Sequence, residues 1–332
     1  MRLAQLHRPL IVTAVALSVL AALTGAGIFL DDRELVGVPI WLKPFKFSVS
    51  IAIYGTTLAW MLSLLDRRQR LGWWLGTVTT GALITEIVII VAQAARGRQS
   101  HFNNQTPLDS VLYSVMGVTI SVAWVCTLIL AILLLIQRLP DRADALAVRF
   151  GLIVGLAGMM VGFLMTMPTK AQLDLPEGEA PTIIGAHSVG VPDGGAGLPL
   201  VNWSTTGGDL RAGHFIGMHA LQALPLLGFA LALAARRFAR LRPGGVRARI
   251  LTVAGSAYGA LTVLLVWQAL RGQSIVHPDA LTLAALGGLL LATAGGTAWA
   301  LATPADPSVD PSVDPAGTPA AAAGTPVPAE VR

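Results

Sequence analysis

The sequence predicts an all-α integral membrane protein with eight transmembrane helices, arranged as two tandem, parallel four-helix repeats. Three observations lead to this prediction: an apolar composition, eight apolar segments of spanning length, and a short motif that recurs in both halves. Hydrophobic residues make up 54% of the 332 residues and charged residues only 12%, against about 25% in a typical soluble domain. The mean hydropathy is +0.67. These charges are too few to cover a soluble globule of this length, but they suit a chain solvated by lipid.

Eight segments reach the roughly 20 mainly apolar residues that a membrane-spanning helix needs. They are 9–30, 44–65, 72–95, 109–136, 147–168, 213–235, 248–270 and 279–302. Helices are expected because lipid cannot satisfy unpaired backbone groups, and because the segments lack the alternating pattern of barrel strands. The first segment has no convincing small-x-small cleavage site, so we expect an uncleaved first span.

The distribution of lysine and arginine predicts the orientation. Of the 23 such residues, 15 lie near the termini and around the loops that follow the even-numbered spans. The positive-inside rule therefore places both termini in the cytoplasm, in an inner or plasma membrane. The net charge of +5 thus indicates topology rather than nucleic-acid binding. The expected partners are the lipid bilayer and a small-molecule ligand, and the sequence leaves the oligomeric state open.

Two segments outside the spans differ in composition. Residues 303–332 repeat the tetrad DPSV and are rich in Pro and Ala, which predicts a disordered cytoplasmic tail. The outer loop 169–212 is rich in Gly and Pro, yet it also contains apolar residues such as Ile183, Ile184 and Trp203. Long loops are either functional or disordered. The apolar content favours a folded cap here.

A repeated motif divides the chain in two. Residues 93–97 read QAARG and residues 268–272 read QALRG, and each stretch leads into a short loop with Ser, His, Pro and Asp. We infer a tandem duplication of a four-helix unit, with a first membrane repeat at 1–145 and a second at 146–302. Because four is even, both copies would point the same way, and binding sites of such folds often lie between repeats.

Glu86 is the residue within a span that most needs explaining. It lies about ten residues from the outer end of its helix, roughly 15 Å deep at 1.5 Å per residue. A charge at the bilayer centre costs about 3 kcal/mol on insertion scales, so Glu86 should face the bundle interior and find a partner or a proton. Gln93 follows two turns later on the same face. A purely structural, hydrogen-bonded Glu86 is the alternative.

The sixth span contains a second polar group. His219 lies several residues inside the membrane, and Gln222 follows one turn later. His214 precedes His219 by five positions, whereas two histidines that share a zinc ion from one helix normally sit at i and i+4. His219 could therefore be an interhelical hydrogen-bonding group, a ligand contact, or a haem or metal ligand.

Basic residues surround the outer ends of the spans. Lys46 could anchor the second span at the interface, or it could contribute positive charge to a cavity together with Arg96, Arg211 and Arg271. Arg96 and Arg271 occupy equivalent positions of the repeated motif, which favours a shared role.

Metal and cofactor chemistry have weaker support in the sequence. The following residues could meet at the outer surface, but no pair has a diagnostic metal-ligand spacing: His101, His187, Asp193, His214 and His277. The single cysteine, Cys126, lies in an apolar run, which excludes an intramolecular disulfide and a multi-cysteine site. No Walker loop, dinucleotide fingerprint, HExxH or GxSxG motif is present. We therefore assign no cofactor, no metal and no catalytic residue.

These observations favour a protein that binds or transports a small ligand in an outward-facing polar pocket between the repeats. The basic rim suggests an anionic or carboxylate-bearing ligand, and Glu86 could exchange a proton. The residues expected to line the pocket are Lys46, Glu86, Gln93, Arg96, Arg211, His219, Gln222, Gln268 and Arg271. The alternatives are a haem- or metal-binding redox protein, which would use His219, and a structural or sensory membrane subunit.

Overall fold

In the computed structural model, residues 6–176 and 179–304 are described, and most of them are helical. The α-helices are α1 (Arg8–Leu30), α2 (Leu42–Ser63), α3 (Gln69–Ala95), α4 (Pro107–Ile136), α5 (Arg142–Met165), α6 (Lys170–Leu173), α7 (Leu210–Met218), α8 (Ala220–Arg237), α9 (Gly244–Leu270) and α10 (Ala280–Ala302). A 3₁₀ turn occupies Ala239–Leu241. The strands form two antiparallel pairs, β1 (Glu34–Leu35) with β2 (Val38–Pro39) and β3 (Ser188–Val189) with β4 (Gly208–Asp209).

Eight of the described helices are long and apolar enough to cross a membrane, which confirms the prediction at that level. Apart from the sixth, their bounds match the predicted segments to within a few residues. Thr106 caps α4 and Asp141 caps α5 by accepting backbone N–H bonds, as capping residues commonly do.

The sixth predicted span differs, because it is broken into α7 and α8 at His219. The backbone of His219 has φ −75° and ψ −1°, outside the regular helical geometry. Pro225 lies inside α8 and cannot donate a backbone hydrogen bond, which weakens the continuity of the helix further.

The helices pack by the same pattern within each half. In the first half, α1 packs against α2 and α3, α2 against α3, and α3 against α4. In the second half, α5 packs against α7, α8 and α9, the broken helix packs against α9, and α9 packs against α10. The halves meet where α4 contacts α5 and α2 contacts α8. The largest group of buried apolar side chains spans this junction and includes Leu10, Met61, Leu130, Leu134, Leu152 and Leu221.

Consecutive long helices run antiparallel, so the loops gather at two ends. We call one the cap end, with loops 31–41, 96–106, 166–209 and 271–279, and the other the arginine-rich end, with loops 64–68, 137–141 and 238–243. The cap is the described part of residues 166–209. It contains a short helix and two strands and packs on the bundle, so it is folded as expected. The predicted tail lies, beyond residue 304, outside the described residues.

Glycines on α5 allow close helix contact, as expected for small residues spaced by four. A Cβ on Gly155 would lie 2.6 Å from Leu221 Cγ, and a Cβ on Gly158 would lie 2.3 Å from backbone atoms of Gly217 and Met218. Real Cβ atoms do not approach backbone so closely. The contact between α5 and α7 therefore requires glycine at position 158.

This contact predicts that Gly158→Ala lowers the free energy of unfolding by about 1–3 kcal/mol, the usual cost of overpacking. The measurement is denaturation of the purified protein in detergent. Gly81→Ala is the matched control, because a Cβ there meets nothing within 4 Å. Equal stability of Gly158→Ala and the wild type would contradict the packing described here.

Candidate functional site

The cap is fastened to the loop between α3 and α4 by backbone hydrogen bonds. The Asn104 amide donates to the Thr182 carbonyl at 2.8 Å, and the Ile184 amide donates to the Phe102 carbonyl at 2.8 Å. The Ala186 amide donates to the carbonyl of Met165, at the end of α5, at 2.9 Å. These bonds place residues 185–193 of the cap directly over the 96–106 loop.

The Phe102 backbone at this junction is strained. Its φ is +63°, a conformation that costs a bulky residue about 1–3 kcal/mol. Gly185 lies against the Phe102 ring with φ +106°, and a Cβ there would come within 2.8 Å of Phe102 Cδ1 and 2.5 Å of the Met165 carbonyl oxygen. Glycine at position 185 therefore allows the cap backbone to pack directly against the Phe102 ring.

Below this junction, Glu86 of α3 faces His101. Glu86 is only 4% exposed, and its Oε1 lies 3.5 Å from His101 Nε2. The other ring nitrogen, Nδ1, lies 3.1 Å from the hydroxyl of Ser100. Glu86 Oε2 is buried and has no hydrogen-bond partner among the described residues. The carboxyl group is thus shielded from water, and only one of its two oxygens has a polar neighbour. A buried oxygen without a hydrogen-bond partner costs free energy.

Aromatic side chains and one lysine surround this pair. The rings of Phe47, Phe102 and Tyr113 have centroids 5.5, 6.1 and 6.5 Å from that of His101. The Lys43 ammonium lies 5.8 Å from the centre of the Phe47 ring, within cation–π range. Lys43 has no ion pair within 4 Å among the residues described.

The surroundings of His101 favour its neutral imidazole. Burial, followed by the positive field of Lys43 and the neighbouring His187, holds its pKa well below the usual 6.5. A buried imidazole disfavours its charged form because it has lost hydration. At neutral pH one ring nitrogen of His101 is therefore available as a donor and the other as an acceptor.

A second imidazole–carboxylate pair lies in the cap. His187 Nδ1 is 2.8 Å from Asp193 Oδ2, and the amides of His187 and Ser188 also donate to this carboxylate. Burial would raise the pKa of Asp193, but the hydrogen bonds from His187 outweigh it and hold that pKa well below its usual value. The His187 ring meets Phe102 edge-on with centroids 4.9 Å apart. Phe102 thus lies between two imidazoles.

The residues of the repeated motif brace the turns at the cap end. Gln93 Nε2 donates to Asp109 Oδ1 at 2.9 Å, and Arg96 and Arg98 form ion pairs with Asp109 at 3.3 and 3.0 Å. Asp109 is fully buried. This network joins the end of α3 to the start of α4.

The second half contains the same turn. Gln268 Nε2 donates to the Ser274 carbonyl at 2.9 Å, as Gln93 Nε2 does to the Gln99 carbonyl at 3.2 Å. Gly97 and Gly272 both have φ +71°. Arg271 forms an ion pair with Asp279, the N-cap residue of α10.

The two remaining basic residues of the predicted rim also have partners. Lys46 Nζ donates to the Val201 carbonyl of the cap at 3.2 Å. Arg211 Nε donates to Asp209 Oδ1 at 2.9 Å, and this guanidinium also bonds the Asn202 carbonyl. The four basic side chains expected around the pocket therefore each have a carboxylate or carbonyl partner, which weakens their electrostatic attraction for an anionic ligand. They are Lys46, Arg96, Arg211 and Arg271.

His219 and Gln222 lie apart from Glu86 in their contacts. His219 Nδ1 is 3.1 Å from Gln222 Oε1, and Gln222 Nε2 donates to the Thr57 hydroxyl at 3.1 Å. These bonds join α8 to α2 across the two halves. Neither residue has a hydrogen bond or ion pair with Glu86, and the shared pocket for Glu86 and His219 remains a prediction.

The sequence did not identify Lys43, His101, Phe102 and Tyr113 as a cluster around Glu86. The sequence contained one indication of this cluster. The connection from Ala95 to Pro107 is short, so it keeps His101 close to the end of α3. Among the described residues, no group of three or more His, Cys, Asp or Glu side chains is placed to hold a metal ion.

Comparison with family models, curated proteins and solved structures finds no match for this chain.

The neutral state of His101 predicts a pH-dependent stability. The unfolded chain protonates this imidazole below about pH 6.5, whereas the folded protein does not, so the unfolded state binds more protons there. The free energy of unfolding should therefore fall as the pH drops from about 7 to about 5. His101→Asn should make this fall shallower. Denaturation in detergent across this range tests it, with exposed His277→Asn as control, and equal slopes for wild type and His101→Asn would contradict it.

Proposed function

We propose that the chain is a polytopic protein of the cell membrane, with all eight long helices spanning the bilayer and both termini in the cytoplasm. Many large apolar side chains face outward, among them Val12 at 67%, Leu23 at 65% and Leu291 at 76% exposure. Such an apolar outer surface is stable in contact with the hydrocarbon core of a bilayer. The excess of arginine at one end of the bundle supports the orientation.

The proposed duplication has support from two independent features. The pattern of helix contacts is the same in both halves. The QA-x-RG turns share a positive-φ glycine, a glutamine side chain bonded six residues ahead, and an arginine–aspartate pair at the start of the next helix. A tandem, parallel arrangement of 1–145 and 146–302 accounts for both.

The function that we propose is binding of a small ligand at the cap end, in a transport or sensing role. The observation that carries it is the buried, unpartnered Oε2 of Glu86. A ligand that donates a hydrogen bond to this oxygen would remove the free-energy cost of a buried acceptor without a partner. The aromatic rings around His101 would supply the apolar walls usual in small-molecule sites.

Lys43 adds a second requirement for the ligand. Its ammonium has no ion pair within 4 Å among the described residues, so an anionic oxygen could occupy its free hydrogen-bond positions. The class that fits both groups is a small carboxylate with a neighbouring hydroxyl or amino donor. This class keeps the anionic character expected from sequence but moves its source from the rim to Lys43.

The proposed orientation predicts the outcome of reporter fusions. Fusions at Gln69, Arg142 and Arg242 should report the cytoplasm, whereas fusions at Asn104 and Asp193 should report the outer side. The reason is the excess of lysine and arginine at the first set of loops. An outer-side signal at Arg242, which lies in the strongest basic cluster, would reject the orientation.

The proposed site predicts that lactate and alanine bind the purified protein, and that Glu86→Gln weakens them. Loss of a hydrogen bond to a charged group costs about 1.5–3 kcal/mol, which corresponds to roughly a 10- to 150-fold higher Kd. Isothermal titration in detergent is the measurement. Acetate, which has the carboxylate but no hydroxyl or amino donor, should bind more weakly than lactate.

Glu34→Gln is the matched control, because Glu34 is an exposed carboxylate at the same end of the bundle. Equal binding by wild type and Glu86→Gln, or no binding of either probe by wild type, would refute the proposed site.

A further inference from the structure

Two imidazole–carboxylate pairs lie in series at the cap end, with one aromatic ring between them. The outer pair is Asp193 with His187, and the inner pair is His101 with Glu86. The Phe102 ring contacts the outer imidazole at 4.9 Å and the inner one at 6.1 Å between centroids. No other function described so far requires the outer pair.

Exposure to solvent is similar for the first three side chains of this series and falls sharply at the last. The side chains of Asp193 and His187 are 27% and 25% exposed, that of His101 is 22% exposed, and that of Glu86 is 5% exposed. One end of the series therefore meets water while the other is enclosed in the bundle. Imidazoles are suited to carry protons between such groups, because each ring has two nitrogens that exchange donor and acceptor roles.

We propose that the two pairs form a proton path from the water at the cap end to Glu86, and that Phe102 is its gate. The inference rests on the proposed ligand site at Glu86. It adds a route by which the Glu86 carboxyl group gains or loses a proton. A lower pH at the cap end favours proton transfer to Glu86, and a higher pH favours transfer back to the water.

The transfer conserves protons and charge at each step. His187 Nδ1 donates its hydrogen bond to the ionised Asp193, so the free nitrogen Nε2 takes up a proton from water at the cap end and releases it to a water beside Phe102. That water gives a proton through the Ser100 hydroxyl to His101 Nδ1, while the proton on His101 Nε2 passes to Glu86 Oε1. One proton has entered, Glu86 is a neutral carboxylic acid, His187 is neutral in its starting tautomer, and His101 is neutral in its other tautomer. Ring rotation or the reverse transfer restores His101.

Burial and the surrounding positive charges disfavour a charged imidazolium at both histidines. Burial lowers the pKa of His187, and the positive charges of Arg211 and Lys43 lower it further, although the hydrogen bond to Asp193 opposes them. The charged or titratable groups facing the path are Lys43 and Lys46 from α2, Glu86 from α3, Tyr113 from α4, Arg211 and His214 from α7, and Asp209 from β4.

The backbone holds Phe102 in the gating position. Its φ of +63° is one that a phenylalanine rarely adopts, and the hydrogen bond from Ile184 to its carbonyl holds it there. Gly185 leaves room for the ring on one side. Strained residues of this kind cluster at switches and ligand clamps. A small rotation of the ring would admit the water that connects the two imidazoles.

The experiment is a pH jump on the protein in supported bilayers, followed by infrared spectroscopy of the carbonyl stretch of protonated carboxyl groups. Glu86→Gln should remove the band that identifies protonated Glu86. Asp193→Asn and His187→Asn should keep this band but slow its appearance by about 100-fold, the lower range of what a positioned proton-transfer group contributes. Phe102→Leu, which keeps most of the apolar volume, should speed it several-fold. His277→Asn is the control at the same end.

Each other outcome overturns the path. Unchanged rates in Asp193→Asn and His187→Asn would show that protons reach Glu86 by another route, and a slower rate in Phe102→Leu would show that the ring is not a gate. A missing band in the wild type would show that Glu86 does not take the proton. Lactate titration of the same samples separates these failures from failure of the ligand site, because binding that still depends on Glu86 leaves that site intact.

Discussion

The docking of the cap onto the 96–106 loop is the contact on which the candidate site depends. The hydrogen bond from Ile184 to Phe102 fixes the height of the cap, and Gly185 permits it. Without this contact, the loop that carries His101 would be more open to water, where an imidazole needs no partner. With it, the imidazole is held against the buried Glu86 and loses part of its hydration, which disfavours its charged form.

The eight long helices could be predicted from sequence because a helix able to cross a bilayer needs roughly 20 mainly apolar residues, and each of these segments meets that condition. The break at His219 could not, since Pro225 alone does not fix where a helix divides. The partner of Glu86 was also missed, because His101 belongs to a loop whose conformation depends on the cap. By contrast, the pairing of Arg211 with Asp209 is local and could have been read from their spacing in the chain.

The motif residues illustrate how a recurring polar pattern can be structural. Gln93 and Gln268 each bond the chain six residues ahead, and Arg96 and Arg271 each pair with an aspartate near the start of the next helix. The end of a helix leaves backbone carbonyl groups without intrahelical partners. These side chains help to join one helix end to the next, so their recurrence follows from a shared turn and needs no shared ligand.

The proposed duplication makes the candidate site asymmetric. Matching Gln93 to Gln268 places Leu261 at the position of Glu86 and Val276 at that of His101. The second half thus retains the turn but has apolar residues where the first half has the titratable pair. It contributes instead the cap, which precedes α7 and supplies His187 and Asp193. One half then provides the buried carboxyl group, and the other provides the cap that packs on the loop carrying His101. The proposed site therefore draws on both halves although only one carries the acid.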